Sequence, residues 1–258
     1  MRFSDLEAAQ RERERYHGLV VPENQWIVIR VDGRSFTTMT NAHFAKPFDG
    51  RFGELMAVTA AALLQEFAGV YVYTQSDEIS LLLPQTTGTF GRSVEKLVSL
   101  TAATASAAFT EAAARRVSFD ARIWTGDGVG DVVDYFAWRQ ADGYRNALNT
   151  CAYWALREQG LTAPQVQRRM AGLDREAKKE IVATGGAAFD ELPAWQRRGA
   201  GVWFESVEKN GYDPKAERQV RVLRRRLHHE FQLPDGSEYR DLVERLATER
   251  QATASAKI

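Results

Sequence analysis

Cysteine, histidine and net charge are what this chain has least of. One cysteine, Cys151, among 258 residues excludes an intramolecular disulfide, and so few Cys and His residues build no structural zinc site. That usage fits a reducing cytoplasm. The 34 basic and 34 acidic side chains cancel, so there is no global positive field, and any nucleic-acid partner must be held by local basic patches. Long apolar runs are missing too. Nothing approaches the roughly 18 consecutive apolar residues of a membrane span, and Met1-Arg-Phe-Ser-Asp-Leu-Glu carries no apolar signal core. The expectation is a soluble, cytoplasmic protein with no membrane partner.

What is present is acid in unusual places. Asp32 ends the apolar run Trp26-Ile-Val-Ile-Arg-Val, and Asp77-Glu78 interrupts Tyr73-Thr-Gln-Ser-Asp-Glu-Ile-Ser-Leu-Leu-Leu. Carboxylates at half-buried strand positions are costly unless a cation compensates them. For acids converging from neighbouring strands, that cation is most simply a divalent metal. Singly, Asp32-Gly33 and Ser76-Asp77 are ordinary turn residues. Jointly, on adjacent strands, they suggest metal-dependent phosphoryl transfer.

The order of elements brings them together. A charged lead-in helix over residues 4–17, with Ser4 and Glu7 as a capping box, precedes a strand over 26–31. A helix follows over 51–67, then strands 70–73 and 79–83 joined as a hairpin with Asp77 and Glu78 at its tip. A long alanine-rich helix over 90–114 leads to a strand over 117–124. Strand, helix, hairpin, helix, strand is the α+β, ferredoxin-like pattern of polymerase palms: an antiparallel sheet with helices on one face and the other face free for substrate. Beyond it the chain reads as helical, over 131–158, 164–184 and 214–231. The expected organisation is a palm-like catalytic core at 1–128, a helical region at 129–250 and a disordered tail at 251–258.

Cationic and hydroxyl groups surround the acids: Arg30, Arg34, Ser35, Lys46, Ser76, Arg92 and Lys96 suit a triphosphate, with Ser35 and the amides after Gly33 as an anion-binding turn. Arg92 and Lys96, four apart on a helix, would share one face. Further on, Asp134-Tyr-Phe-Ala-Trp-Arg-Gln-Ala-Asp-Gly-Tyr-Arg-Asn mixes aromatics with Arg139, Gln140, Arg145 and Asn146. Its aromatics read as packing residues rather than base-stacking platforms. Basic segments containing Arg197, Arg198, Arg224 and Arg225 suit an RNA backbone, and equally suit an exposed face paired to nearby acids.

Five motifs in register, Arg30-Val-Asp-Gly-Arg-Ser-Phe, Phe44-Ala-Lys-Pro-Phe-Asp, Gln75-Ser-Asp-Glu-Ile-Ser, Phe119-Asp-Ala-Arg and Trp138-Arg-Gln-Ala-Asp, resemble the tRNA(His) guanylyltransferase family over about residues 6–210. The resemblance implies a polymerase palm running in reverse, adding nucleotides 3′-to-5′ at the 5′ end of tRNA, with GTP and ATP as substrates. By position it makes Asp32, Asp77 and the Gly33 carbonyl ligands of two Mg2+ ions, with Glu78 a supporting catalytic acid. It places Arg30, Asp32, Gly33, Arg34, Ser35, Phe36, Thr37, Lys46, Ser76, Asp77, Arg92, Lys96 and Asn146 at the nucleotide; with a tRNA substrate, Arg139 and the basic-segment residues Arg197, Arg198, Arg224 and Arg225 become the expected tRNA contacts. It also implies a homotetramer. Where eukaryotic members carry His-Ile-Asn-Asn this chain has Tyr144-Arg-Asn-Ala, which resembles the bacterial and archaeal Thg-like branch and directs the expectation to template-dependent repair of truncated tRNA 5′ ends. Addition of one extra 5′ guanosine to tRNA(His) is the alternative. A palm-type nucleotide cyclase and a catalytically dead RNA-binding module are more remote.

Overall fold

The computed structural model describes residues 2–186, 188–213 and 218–255. Helix α1 (Phe3–Arg11) precedes strand β1 (Trp26–Gly33), helices α2 (Phe36–His43) and α3 (Gly50–Glu66), and strands β2 (Tyr71–Gln75) and β3 (Glu78–Leu83). Helix α4 (Val94–Ala113), strand β4 (Phe119–Gly126) and helices α5 (Val129–Glu158), α6 (Ala163–Met170), α7 (Arg175–Thr184) and α8 (Ala194–Arg198) follow. The chain closes with strands β5 (Ala200–Asp213) and β6 (Arg218–Glu230) and helix α9 (Gly236–Ser255). The strands form one antiparallel sheet in the order β4-β1-β3-β2-β5-β6, so the two strands that carry the acids lie side by side.

Because β1 and β3 are interior strands, both faces must be apolar along most of their length. Ile27, Ile29, Val31, Ile79, Leu81 and Leu83 pack with Leu63 and Leu64 of α3 and Leu97 and Phe109 of α4. On the opposite face Trp26, Val28, Tyr71 and Leu82 pack with Val132 and Phe136 of α5 and Tyr239 and Val243 of α9. The expectation of a face left free for substrate therefore needs correction, since α5 and α9 cover much of it. Caps set the helix starts. Asp49 accepts the Arg51 amide at 3.0 Å to open α3, and Asp131 accepts the amides of Asp127 and Gly128 at 2.9 and 3.0 Å to open α5.

Four other expectations change. Ser4 caps nothing: α1 starts one residue earlier, its hydroxyl lies against Asp5, and the helix buries no residue. The single helix over 164–184 becomes α6 and α7, divided at Gly172, whose φ of +74° is the left-handed conformation glycine tolerates. Residues 218–230, expected as part of a basic helix, form β6, paired with β5 from Gly201 opposite Glu230 to Asp213 opposite Arg218. Long-range pairing overrides the helical propensity of Leu and Arg there. The expected tail is helical as far as Ser255, and 256–258 lie outside the described residues.

Arg92 and Lys96 do not share a helical face. Arg92 closes the short 3-10 turn Thr89–Arg92 with φ +59°, ahead of the α4 cap Ser93, while Lys96 is exposed in the first turn of α4. Arg92 is only 7% exposed, and its guanidinium donates to the carbonyls of Val21, Gln85, Thr87 and Gln25 at 2.7–3.2 Å. It pins the segment before β1 to the loop after β3, with four of its five N–H donors spent on those carbonyls. Arg92→Lys keeps the charge but loses the planar donor set, and we expect a loss of roughly 2–3 kcal/mol in urea unfolding. An unchanged midpoint would contradict the pinning role.

Candidate active site

Residues directly opposite one another in antiparallel strands share a face of the sheet. Asp32 lies opposite Glu78 on β3 and opposite Asp120 on β4, so three carboxylates form a row across β4, β1 and β3. The next row holds Arg122, Arg30 and Ser80. Asp77 sits in the β2–β3 turn beside the acidic row. The Gly33 amide donates to the Asp77 carbonyl at 3.0 Å, tying the two acid-bearing turns together. Both turns adopt costly backbone shapes: Ser35 and Ser76 have φ of +61° and +54°, outside the range L residues prefer. Gly33 is required because a Cβ there would lie 2.4 Å from the Phe36 ring, itself buried among Phe52, Phe109 and Phe119.

The charges are unevenly compensated. Burial pushes the Asp77 carboxyl above its ordinary range, and the neighbouring Asp32 carboxylate pushes the same way; its own amide, the Ser76 hydroxyl at 3.1 Å and Lys46 act in the opposite sense. Burial lowers the Lys46 ammonium, while Asp77 opposes that shift, and Lys46 Nζ donates to Thr40 Oγ1 at 2.8 Å. The loop presenting Lys46 is held by Asp49, which accepts the Ala45 amide at 2.8 Å.

Glu78 is different. Burial raises its carboxyl, but the Arg139 guanidinium opposes this through paired bonds of 2.7 and 2.6 Å. Arg139 is 8% exposed at its side chain and also reaches Asp142 at 3.1 Å. Both Glu78 oxygens are thus engaged by a fixed cation, and Arg139, expected at the tRNA, is a structural counter-ion. Arg197 and Arg198 are likewise committed within the fold, to the Leu192 carbonyl at 2.8 Å and to Asp235 at 2.6 Å.

A cavity of about 1110 Å3 opens at this end of the sheet, between α2, α5 and α8. Of the residues singled out in the sequence it gathers Asp32, Phe36, Thr37, Lys46, Ser76, Asp77, Glu78, Arg139 and Asn146. Arg34 and Ser35 are exposed beside it, whereas Arg30, Arg92 and Lys96 do not line it. The cavity also runs past Asn149, Tyr153 and Arg157 toward Lys178 of α7, which sequence reasoning missed. The available signal was polar residues three or four apart on α5, at 142, 146, 149, 153 and 157. Gly143 lets that helix approach β2, since a Cβ there would come within 2.8 Å of the Tyr73 hydroxyl.

Among the described residues no group of three or more His, Cys, Asp or Glu side chains is gathered as a metal cage. Two carboxylates, one of them raised by burial and by its carboxylate neighbour, instead fit an ion that completes its shell with backbone oxygen, water and substrate phosphate, as magnesium does.

The model of the Thg1 family, tRNAHis guanylyltransferase, matches residues 9–126, and that of the Thg1 C terminal domain matches residues 130–244. A probable tRNA(His) guanylyltransferase of Drosophila melanogaster is 32% identical over 188 residues, 68% of this chain and 66% of the relative. The tRNA(His) guanylyltransferase of Neurospora crassa is 30% identical over 202 residues, 72% of this chain and 69% of the relative. The chain thus spans about two thirds of the length of such curated relatives. Among solved structures, a bacterial tRNA(His) guanylyltransferase (Thg1)-like protein in complex with GTP superposes with a TM-score of 0.73 at 27% identity, covering 95% of this chain and 99% of that one. A second, with ATP, gives 0.71 at 28%, covering 93% and 98%.

The Glu78–Arg139 pair supplies a test of the site's scaffold. Removing one partner strands a buried charge, so Arg139→Met should cost about 3–5 kcal/mol in urea unfolding, and the double variant with Glu78→Gln should recover part of that loss. A single-variant cost below about 1 kcal/mol would contradict the counter-ion role.

Proposed function

The chain belongs to the tRNAHis guanylyltransferase (Thg1) family, and on that premise we propose that it adds a guanosine nucleotide to the 5′ end of tRNA(His). The observation that carries this reading is the convergence of Asp32, Asp77 and Lys46 on one cavity, with the two acid turns tied by the Gly33 amide. That is a centre for joining two phosphate-bearing reactants. The names of the superposable proteins support both GTP and ATP as substrates. The 5′ monophosphate would attack the α-phosphorus of ATP and release pyrophosphate, and the 3′-hydroxyl of GTP, losing its proton, would then attack the RNA 5′ phosphorus as AMP leaves in line.

Mg2+, held by Asp32, Asp77 and the Gly33 carbonyl, would supply hydroxyl activation and charge neutralisation when bound. The chain's own part is positional. Lys46 carries its ammonium to the cavity wall on a loop fixed by Asp49, while Thr37, Ser76 and Asn146 offer neutral donors to phosphate oxygens. Arg139 keeps Glu78 neutralised, which leaves Asp32 and Asp77 as the acids in need of an external cation.

Contacts to the tRNA backbone fall in this reading to Arg224 and Arg225 on the β5–β6 ribbon, where Arg225 lies 4.1 Å over the Phe204 ring. Beyond Trp203 that ribbon pairs with no third strand among the described residues, and an isolated two-stranded ribbon is marginal in water. This supports assembly of several copies, a tetramer in the family reading. Among the described residues no helix is long and apolar enough to cross a membrane. A cytoplasmic location belongs to the same proposal.

Template-dependent repair of truncated 5′ ends is the second reading, favoured by the Tyr144-Arg145-Asn146-Ala147 segment. There the Tyr144 hydroxyl is bonded to Asp190 at 3.1 Å, and Arg145 pairs with Asp142. The relatives' names favour guanosine addition. Labelling with GTP across intact tRNA(His), other intact tRNAs and 5′-truncated tRNAs separates the two. We expect the highest kcat/KM on intact tRNA(His), with a drop of about 10^3-fold or more, roughly 4 kcal/mol, for Asp32→Ala. Faster addition to truncated tRNA would establish repair, and cyclic product from GTP without RNA would overturn both.

A further inference from the structure

The acidic row has two sides, and the cavity occupies only one of them. On the other, toward the edge strand β4, the sheet face carries Arg30 and Arg122 opposite each other, one row behind Asp32 and Asp120. Here the covering helix α5 contributes Trp138. Trp138 is 52% exposed although Tyr135, one turn before it on the same helix face, and Arg139, the next residue, are buried. It is held rigidly: Tyr135 meets it edge-on at 5.8 Å, the Arg139 guanidinium lies 4.6 Å from its centroid, and that of Arg30 lies at 5.9 Å. Arg30 Nε is buried without a hydrogen-bond partner. The ring meets two guanidinium groups beside a pocket that Asp127, Asp131 and Asp134 also line, and Arg122 bonds Asp120 at 3.3 Å; an exposed tryptophan there, with an arginine donor left unsatisfied, is poorly explained as packing.

We propose that Trp138, Arg30 and Arg122 form a shelf that receives the 5′-terminal nucleotide of the RNA, its base stacked on the Trp138 ring and its phosphates facing the two guanidinium groups. This rests on the proposed 5′-end chemistry and assigns the two reactants to opposite sides of Asp32: the nucleoside triphosphate to the cavity, the RNA end to the shelf. The fit is chemical. Stacking on an aromatic face accepts any base, and arginine satisfies phosphate through paired donors, so the shelf would hold the end of an RNA whatever its sequence. It also gives Arg30, which does not line the cavity, a phosphate partner on the RNA instead of on the incoming triphosphate.

A tRNA acceptor stem with 2-aminopurine as its 5′-terminal base reports the contact directly, because stacking quenches its fluorescence. With the full-length protein we expect quenching on binding. Trp138→Ala should abolish the quenching and weaken RNA binding by about fivefold or more, whereas Trp138→Phe should retain most of both. Arg122→Ala, an exposed change on an edge strand, should weaken binding and reduce the salt dependence of log K by about one phosphate contact. In turnover, Trp138→Ala should raise KM for RNA more than KM for GTP. Wild-type quenching and affinity in a folded Trp138→Ala protein would overturn the shelf, as would an unchanged salt slope for Arg122→Ala. Trp138-dependent quenching with no nucleotide added to any tRNA would overturn the catalytic reading and leave the shelf standing.

Discussion

The antiparallel register of β1 and β3 is the constraint on which the site depends. It sets Asp32 opposite Glu78 with the Asp77 turn beside them, so several carboxylates meet at one end of two strands that are otherwise largely buried. Such an arrangement is unstable as bare charge. The protein resolves half of it internally, with Arg139 reaching down from α5 to neutralise Glu78, and leaves Asp32 and Asp77 without an equivalent partner. In the proposed function, the uncompensated half is where an external cation and the phosphate-bearing substrates would bind.

The surrounding structure serves that division. Helices α3 and α4 bury one face of the sheet and hold the strands in register. Helix α5 spans the other face and contributes at once the counter-ion Arg139, the cavity wall through Asn146 and the exposed ring of Trp138. Consecutive residues on one helix thus separate the interior of the site from its open edge: Arg139 is turned to Glu78 and Trp138 to the exposed side beside Arg30.

The first half of the fold was legible because its signals are local. Apolar strand runs ended by glycine or acid, helices with internal periodicity and a short hairpin connection leave few alternatives, and the palm-like strand order follows from them. The β5–β6 ribbon was not legible because its arginine and leucine content favours helix locally, and only pairing with β5 makes 218–230 a strand. At the site, acids on strands announced themselves, but charge type did not reveal destination. Arg92 and Arg139 read like phosphate or RNA ligands, yet one satisfies four loop carbonyls and the other a buried glutamate. Whether an arginine faces outward or inward depends on tertiary partners tens of residues away, and no local pattern encodes that.

The central claim is that Asp32 and Asp77, and not Glu78, hold the catalytic metal. Crystals grown with Mn2+ and GTP, measured at the manganese absorption edge, test it most directly. The account predicts anomalous peaks at coordination distance, about 2.1 Å, from carboxylate oxygens of Asp32 and Asp77, with the Glu78–Arg139 bonds intact. A manganese ion coordinated by Glu78, with Arg139 displaced, would contradict it.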